Sequence, residues 1–214
     1  MLPEGLLEPR SVYRAGMFLL GCATFVGLIV TLMRGIVVGA FLVFGVLSVY
    51  FYSTKIANFG FGEVLLVVKG TLIVVGTYYV QSLAVAVTPI LVGIIMGLLS
   101  SSALYVNEFP DFEADKQCGR RNLVVRLGLR NAGRAYGIYP VLSFSLLTIG
   151  VMMGDIPIFA LLSVIALPFF YKTYKKLTTG KFDNSSLFLA MTQNVLGARI
   201  VGIIITLAYL IAGV

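Results

Sequence analysis

The sequence predicts an all-α fold, a polytopic membrane helix bundle of about seven transmembrane helices. Of its 214 residues, 59% are hydrophobic and only 12% are charged, and the mean hydropathy is +0.99. This apolar fraction exceeds what a soluble domain carries, and it is typical of membrane proteins. The apolar residues also form runs of about 17 to 25 residues, each near the length that a helix needs to cross a hydrocarbon core.

Seven of these runs are expected to span the membrane, after a polar lead at residues 1–15. Glycine and proline mark the short turns between them, as at Thr88 and Pro89. The whole chain, residues 1–214, is expected to form a single domain. The runs lie at about residues 16–33, 35–53, 64–86, 88–107, 134–154, 156–173 and 187–213.

The positive charges predict the orientation of the bundle. Seven spans place four polar segments on one side of the membrane, and these segments carry 13 of the 16 Lys and Arg residues. Because positively charged loops stay in the cytoplasm, we expect a cytoplasmic N-terminus, cytoplasmic polar loops and an external C-terminus. The expected location is the plasma membrane. Topology thus explains the net charge of +7, with no need to invoke nucleic acid.

Two residue types limit the possible chemistry. The chain has no histidine, which excludes histidine haem ligation, a histidine general base and a histidine zinc site. Cys22 lies in an apolar run and Cys118 in a charged segment, so a disulfide framework is not expected.

The charged window at residues 107–128 reads NEFPDFEADKQCGRRNLVVRLG and holds four acids and four bases. If it begins helically, Asn107, Asp111 and Asp115 recur every four residues and share one helix face. Neighbouring carboxylates repel each other, and Mg²⁺ suits a set of amide and carboxylate oxygens. The basic residues that follow supply charge for a diphosphate. They are Lys116, Arg120, Arg121 and Arg126.

A solvated loop is the alternative interpretation of this window, because a DxxxD spacing also arises by chance. The position of the acids between long apolar runs favours a metal-bridged diphosphate clamp, since such acids are costly without a function.

Other polar residues lie within the apolar runs. Lys69 is near the start of the third run, where its long side chain could reach the interface. The seventh run contains Gln193, Asn194 and Arg199. Such residues either link helices or contact an anionic substrate, and the sequence leaves both roles open.

The charged window resembles the second aspartate-rich motif of the UbiA superfamily of intramembrane prenyltransferases. The resemblance rests on Asp111 and Asp115, on the basic segment at residues 119–121, and on Val-Arg-Leu-Gly at residues 125–128. Residues 2–11 are similar to the loop that follows the first aspartate-rich motif of the family.

Further residues agree with this resemblance. Tyr52 and Lys55 resemble a Tyr/Lys pair of the family, at a shorter spacing. The segments at residues 60–63 and 76–81 look most like the branch that prenylates 1,4-dihydroxy-2-naphthoate in menaquinone biosynthesis. Family members are similar to nine-helix bundles with two aspartate-rich motifs, so this chain would be the C-terminal part, without the first two spans and the first motif.

The resemblance implies Mg²⁺-dependent transfer of a polyprenyl group from polyprenyl diphosphate to an aromatic acceptor, in a cavity that excludes water. It implies catalytic roles for Asp111, Asp115 and Lys55, with Asn107 completing the metal ligands. The diphosphate would contact Lys116, Arg120 and Arg121, and the substrate cavity would include Tyr52, Tyr78 and Gln81.

Several alternatives remain open at this stage. The acceptor could instead be 4-hydroxybenzoate, a chlorophyllide, haem or a lipid glyceryl phosphate, and a second chain could supply the first motif. The chain could also be a non-catalytic fragment or membrane subunit. A small transporter or lipid-binding bundle fits less well, because transporters place their ionisable residues near the bilayer midplane.

Overall fold

In the computed structural model, residues 8–54, 60, 62–180 and 182–213 are described, with the side chains of all of these except residues 51–54. The described part of the chain contains ten α-helices and one 3-10 helix, and it contains no strand. The all-α prediction is confirmed. The α-helices are Pro9–Arg34 (α1), Ile36–Thr54 (α2), Gly62–Ser82 (α3), Val87–Asn107 (α4), Phe112–Gln117 (α5), Leu123–Leu127 (α6), Leu129–Ala135 (α7), Ile138–Met152 (α8), Leu167–Thr178 (α9) and Asn184–Ala212 (α10), and the 3-10 helix is Ile158–Ala166.

The predicted apolar runs correspond to helices that are long enough to cross a membrane. Six helical stretches in the described residues meet this condition, and Ile36–Tyr50 is a shorter apolar helix beside them. The stretch Leu129–Met152 combines α7 and α8, and Ile158–Thr178 combines the 3-10 helix with α9. The chain is therefore a polytopic membrane bundle, as the composition predicts.

One end of the bundle, which we call the charged end, collects the polar segments. It contains the start of α3, the end of α4, helices α5 to α7, the end of α9 and the start of α10. The hydroxyl of Ser101 donates to the backbone oxygen of Glu63 at 3.1 Å. Across the same end, the hydroxyl of Tyr105 donates to the backbone oxygen of Ala132 at 2.9 Å. These bonds hold the segments before and after the charged window against the end of α4.

The opposite end of the bundle is held by Asp155. Its carboxylate accepts a hydrogen bond from Thr88 at the start of α4 (3.5 Å), and its backbone oxygen accepts one from Tyr209 near the end of α10 (3.0 Å). The long helical stretches from α3 to α10 therefore run in alternate directions between the two ends.

Helices α3 and α4 pack closely because glycines lie at their contact. A Cβ atom at Gly97 would lie 2.5 Å from the backbone oxygen of Val67, and one at Gly70 would lie 2.6 Å from Cα of Gly97. Small residues at such a crossing let two membrane helices approach backbone to backbone. This contact lies in the middle of both helices, and the bond from Ser101 to Glu63 continues it to the charged end.

Asn194 links three parts of the bundle from the middle of the core. Its side-chain oxygen accepts hydrogen bonds from the hydroxyl of Tyr136 at 2.6 Å and from the hydroxyl of Ser102 at 3.1 Å. All three residues are buried. Of the two roles that the sequence leaves open for Asn194, the structure shows the helix-linking one, joining α4, α10 and the junction of α7 with α8.

Candidate functional site

The charged window does not form one continuous helix. Helix α4 ends at Asn107, residues 108–111 form a turn, and α5 begins at Phe112. Pro110 explains the break, because proline lacks the N–H that a continuing helix needs and its ring clashes with the preceding turn. Asp111 and Asp115 remain one helical turn apart, since the amide of Asp115 donates to the backbone oxygen of Asp111 at 2.8 Å. Asn107 belongs to the preceding helix.

A glycine turn folds the basic segment back onto α5. Gly119 has φ +73°, which favours glycine. The amide of Gly119 donates to the oxygen of Lys116 at 3.2 Å, and the amide of Arg120 donates to the oxygen of Asp115 at 2.8 Å. These two bonds are those of a Schellman motif, the common end of a helix at glycine. The motif returns Arg120 to the side of Asp115.

Asp115 is held by a cation and by an amide. One carboxylate oxygen lies 3.3 Å from Nη1 of Arg120, and the other accepts a hydrogen bond from Nδ2 of Asn122 at 2.7 Å. Asn122 is only 3% exposed, and its own side-chain oxygen caps α6 by accepting from the amide of Val125 at 2.9 Å. Asn122 is thus a positioning residue that our sequence analysis missed. Its signal is an asparagine directly before an apolar helical run, which is typical of an N-cap.

The remaining basic residues of the window lie on its outer side. Lys116 and Arg121 are exposed. The backbone oxygen of Arg121 accepts a hydrogen bond from Nε of Arg126 at 2.9 Å. Gly60 lies against the same arginine, because a Cβ atom there would be 3.2 Å from Nε of Arg126. The connection between α2 and α3 therefore touches the basic segment.

Within the part of the chain that the structure describes, no other predicted site residue is seen in this cluster. Lys55 and the side chain of Tyr52 lie outside the described part of the chain. Tyr78 and Gln81 are exposed in the last turns of α3, near the opposite end of the bundle from Asp115. The roles of these four residues stay predictions.

The oxygen atoms of Asp111, Asp115 and Asn107 fit a hard divalent cation only in part. Mg²⁺ is bound by one or two carboxylates, and substrate phosphates and water complete its octahedral coordination. Within the ranges that the structure describes, no three Asp, Glu, Cys or His residues are grouped closely enough to hold a metal ion by themselves. The residues present therefore fit a metal ion that a bound diphosphate would share.

A second pair of acids lies behind the charged window, and our sequence analysis missed it. Glu63, in the first turn of α3, is 5% exposed, and the carboxyl group of Glu108 lies beside it. Among the described residues, no group donates a hydrogen bond of normal geometry to either carboxyl oxygen of Glu63 or to Oε2 of Glu108. The two acids are 45 positions apart, so only the packing of α3 on α4 brings them together.

Burial and the nearby Glu63 raise the pKa of Glu108 to about 8. The ordinary value is 4.5, so between these two pH values the folded chain holds a proton that the unfolded chain has released. Stability therefore falls as the pH rises through this window. We expect the melting temperature in detergent to fall between pH 5 and pH 8, and the Glu108→Gln variant to show a smaller fall.

Glu113→Gln is the matched control for this prediction, because Glu113 is an exposed acid in the neighbouring helix α5. It should keep the pH dependence of the unchanged protein. Equal slopes for all three proteins would contradict the assigned protonation of Glu108.

The fold and its charged end define a polytopic membrane protein in which paired carboxylates and arginines meet at one face of a helix bundle. The chain belongs to the UbiA prenyltransferase family, since the model of that family matches residues 1–196.

Individual relatives agree with this membership. The chain is 36% identical over 136 residues to the 1,4-dihydroxy-2-naphthoate octaprenyltransferase of Mycobacterium leprae, covering 61% of this chain and 46% of the relative. It is 31% identical over 149 residues to the UbiA prenyltransferase domain-containing protein 1 of Gallus gallus, covering 67% of this chain and 44% of the relative. No solved structure matches the chain significantly. The chain spans about half the length of the curated relatives that it matches.

Proposed function

We propose that this chain takes part in Mg²⁺-dependent transfer of a polyprenyl group from polyprenyl diphosphate to an aromatic acceptor. The observation that carries the proposal is the ion pair of Arg120 with Asp115. Asp115 lies one helical turn from Asp111. Carboxylates for a cation and guanidinium groups for phosphate then lie at the same end of an apolar bundle. Membership in the UbiA prenyltransferase family supports the same activity.

The residues of the chain have separate tasks in this proposal. Asp111 and Asp115, with Asn107 assisting, would hold the metal ion. When bound, Mg²⁺ would neutralise the negative charge on the leaving diphosphate. Lys116 and Arg121 are exposed and would donate charge-assisted hydrogen bonds to phosphate oxygens. Asn122 keeps the carboxylate of Asp115 oriented.

Arg120 exchanges partners when substrate binds in this proposal. It now pairs with Asp115 at 3.3 Å, and its side chain is 43% exposed. Asp115 is less exposed, at 13%, but the guanidinium group is open to solvent, and ion pairs at a surface contribute about 0 to 1 kcal/mol to stability. The arginine would then turn toward a diphosphate at small cost, and the oxygen of Asp115 that it now contacts would be available to hold the metal ion.

The proposed acceptor is 1,4-dihydroxy-2-naphthoate, in menaquinone biosynthesis. The names of two relatives favour it over 4-hydroxybenzoate or a lipid glyceryl phosphate. Relatives from Mycobacterium leprae and Mycobacterium tuberculosis carry the name 1,4-dihydroxy-2-naphthoate octaprenyltransferase, at 36% and 34% identity. The apolar surroundings of the site also suit an aromatic acceptor and a polyprenyl tail.

The proposed location is the plasma membrane, with the charged end facing the cytoplasm. The distribution of charge supports this orientation, because 13 of the 16 Lys and Arg residues lie in the segments on that side. A water-soluble diphosphate head group would then reach the site from the cytoplasm, while its tail enters between the helices.

Transfer of radiolabelled geranylgeranyl diphosphate to a panel of aromatic acceptors tests the proposal. Membranes containing the chain are incubated with Mg²⁺ or with EDTA, and the prenylated products are separated. The proposal predicts a product only with Mg²⁺, and most of it from 1,4-dihydroxy-2-naphthoate. A product formed equally in EDTA would contradict the metal dependence, and a preference for 4-hydroxybenzoate would contradict the proposed acceptor.

A further inference from the structure

An open groove of about 720 Å³ runs down the outside of the bundle, between the α7–α8 stretch and α9. Two of its wall residues, Val141 and Tyr171, are each 65% exposed. The other face of α8 packs on α4, where the rings of Tyr139 and Tyr105 have their centroids 5.3 Å apart. Because the bundle spans a membrane, the open side of this groove faces lipid.

A cation lies at the aqueous end of the groove. Arg134, in the last turn of α7, lines the groove and is exposed. In the described part of the chain, its guanidinium group forms no hydrogen bond or ion pair. Arg130 precedes Arg134 by one helical turn, and Lys175 follows Tyr171 by one turn. Both cations therefore lie on the faces that form the groove, further toward the charged end.

The acids of the chain leave this charge largely uncompensated. The only acid between residues 129 and 178 is Asp155, which accepts a hydrogen bond from Thr88 at the opposite end of the bundle. Asp183, beyond α9, acts on Lys176, which does not line the groove. The same stretch contains five cations, Arg130, Arg134, Lys172, Lys175 and Lys176. The groove thus opens beneath a concentration of positive charge, which attracts anions at a membrane surface.

The shape of the groove favours a lipid over a soluble anion. Phe144 lines the groove ten residues beyond Arg134, a distance of about 15 Å along a helix. This is half of the hydrocarbon thickness of about 30 Å, so the groove extends through one leaflet. Tyr171 and Tyr174 form the other wall, and tyrosine is enriched at the level of the lipid head groups. No carboxylate lines the groove, which separates it from the proposed metal site.

We propose that this groove binds an anionic phospholipid from the leaflet at the charged end, with Arg134 holding the phosphate group and an acyl chain lying along Val141 and Phe144. Arginine donates charge-assisted hydrogen bonds to phosphate oxygens. A zwitterionic head group binds less well, because its own cation is repelled by Arg130 and Lys175. The site goes beyond the proposed prenyl transfer and does not depend on it.

Fluorescence quenching in reconstituted vesicles tests this site. The chain contains no tryptophan, so the Tyr171→Trp variant reports lipid contact in the groove alone. Folding should be kept, since Tyr171 is exposed and tryptophan is favoured at the membrane interface. Vesicles contain phosphatidylcholine and phosphatidylglycerol in fixed proportion, with bromine atoms on the acyl chains of one lipid or the other to quench a tryptophan that they contact. We expect binding of phosphatidylglycerol to be at least about fivefold stronger than that of phosphatidylcholine.

Arg134→Gln, made in the Tyr171→Trp background, should lower this preference about fivefold, because it removes the cation that holds the phosphate group. Lys172→Gln is the matched control, since it removes the same charge from a position beside Tyr171. The ammonium group of Lys172 lies 6.0 Å from the ring centroid of Phe169, and neither residue lines the groove. This variant should keep the preference.

Phe188→Trp, alone in the natural chain, controls for a general attraction of a positively charged protein to anionic lipid. Phe188 is 70% exposed near the start of α10 and does not line the groove, so quenching there should show little preference for either lipid.

The site would be contradicted by equal binding of the two lipids at Tyr171→Trp, or by a preference that survives Arg134→Gln. The same preference at Phe188→Trp, or an equal loss in Lys172→Gln, would also overturn it, since either would show an attraction of the whole charged surface. The measurement uses neither metal ion nor prenyl substrate, so its outcome is independent of the proposed activity.

Discussion

Asp115→Ala is expected to lower prenyl transfer by about 10²- to 10³-fold, the effect of removing a group that stabilises developing charge. We propose that Asp115 holds the metal ion, and its ion pair with Arg120 keeps that arginine beside the diphosphate site. Alanine removes both functions at once. The measurement is the rate of Mg²⁺-dependent product formation in membranes, normalised to the amount of chain. Glu113→Ala is the control, because it removes an exposed acid from the same helix, and it should keep the rate.

Stability must be followed in the same experiment, because Asp115 also accepts a hydrogen bond from buried Asn122. Leaving that amide without an acceptor costs about 1 to 3 kcal/mol. Asp111→Ala separates the two effects. Asp111 is exposed and its carboxylate caps no helix amide, so this variant should lose transfer with an unchanged melting temperature. Full activity of a folded Asp111→Ala variant would contradict the metal assignment.

Gly97→Ala is expected to destabilise the bundle by about 1 to 3 kcal/mol, the usual cost of overpacking. The added methyl group would lie 2.5 Å from the backbone oxygen of Val67. Backbone atoms cannot turn aside as a side chain can, so α3 and α4 must separate. Thermal unfolding in detergent measures the change in stability.

Gly45→Ala is the matched control for this prediction. Gly45 lies inside α2, and a Cβ atom there would meet nothing within 4 Å. Alanine is favoured over glycine in a helix by about 1 kcal/mol, so the control should be as stable as the unchanged chain or slightly more stable. Equal melting temperatures for both variants would contradict the close packing of α3 on α4.

The helices could be predicted from the sequence because a membrane span is a local property. Hydropathy and length alone placed the fourth run at residues 88–107, and α4 is Val87–Asn107. The 3-10 helix Ile158–Ala166 was not foreseen, since the spacing of apolar residues around the helix does not distinguish it from the α9 that follows.

The candidate site was predictable only where its residues are close in sequence. The relation of Asp111 to Asp115 follows from their spacing, and it survives the break at Pro110. The contact of Asp115 with Asn122 depends on the glycine turn at Gly119, which reverses the chain between them. The meeting of Glu63 with Glu108 depends on tertiary packing, about which one sequence carries no direct signal.

Binding of an unreactive geranylgeranyl thiodiphosphate to the purified chain is a direct test of the proposal that residues 107–128 bind a metal ion and a diphosphate. Isothermal titration calorimetry would be carried out with Mg²⁺ and with EDTA, on the unchanged chain and on an Asp111→Asn, Asp115→Asn double variant. Asparagine keeps an oxygen for Asn122 and removes the charge. We predict binding that requires Mg²⁺ and is lost in the double variant. Equal binding in EDTA, or undiminished Mg²⁺-dependent binding by the double variant, would contradict it.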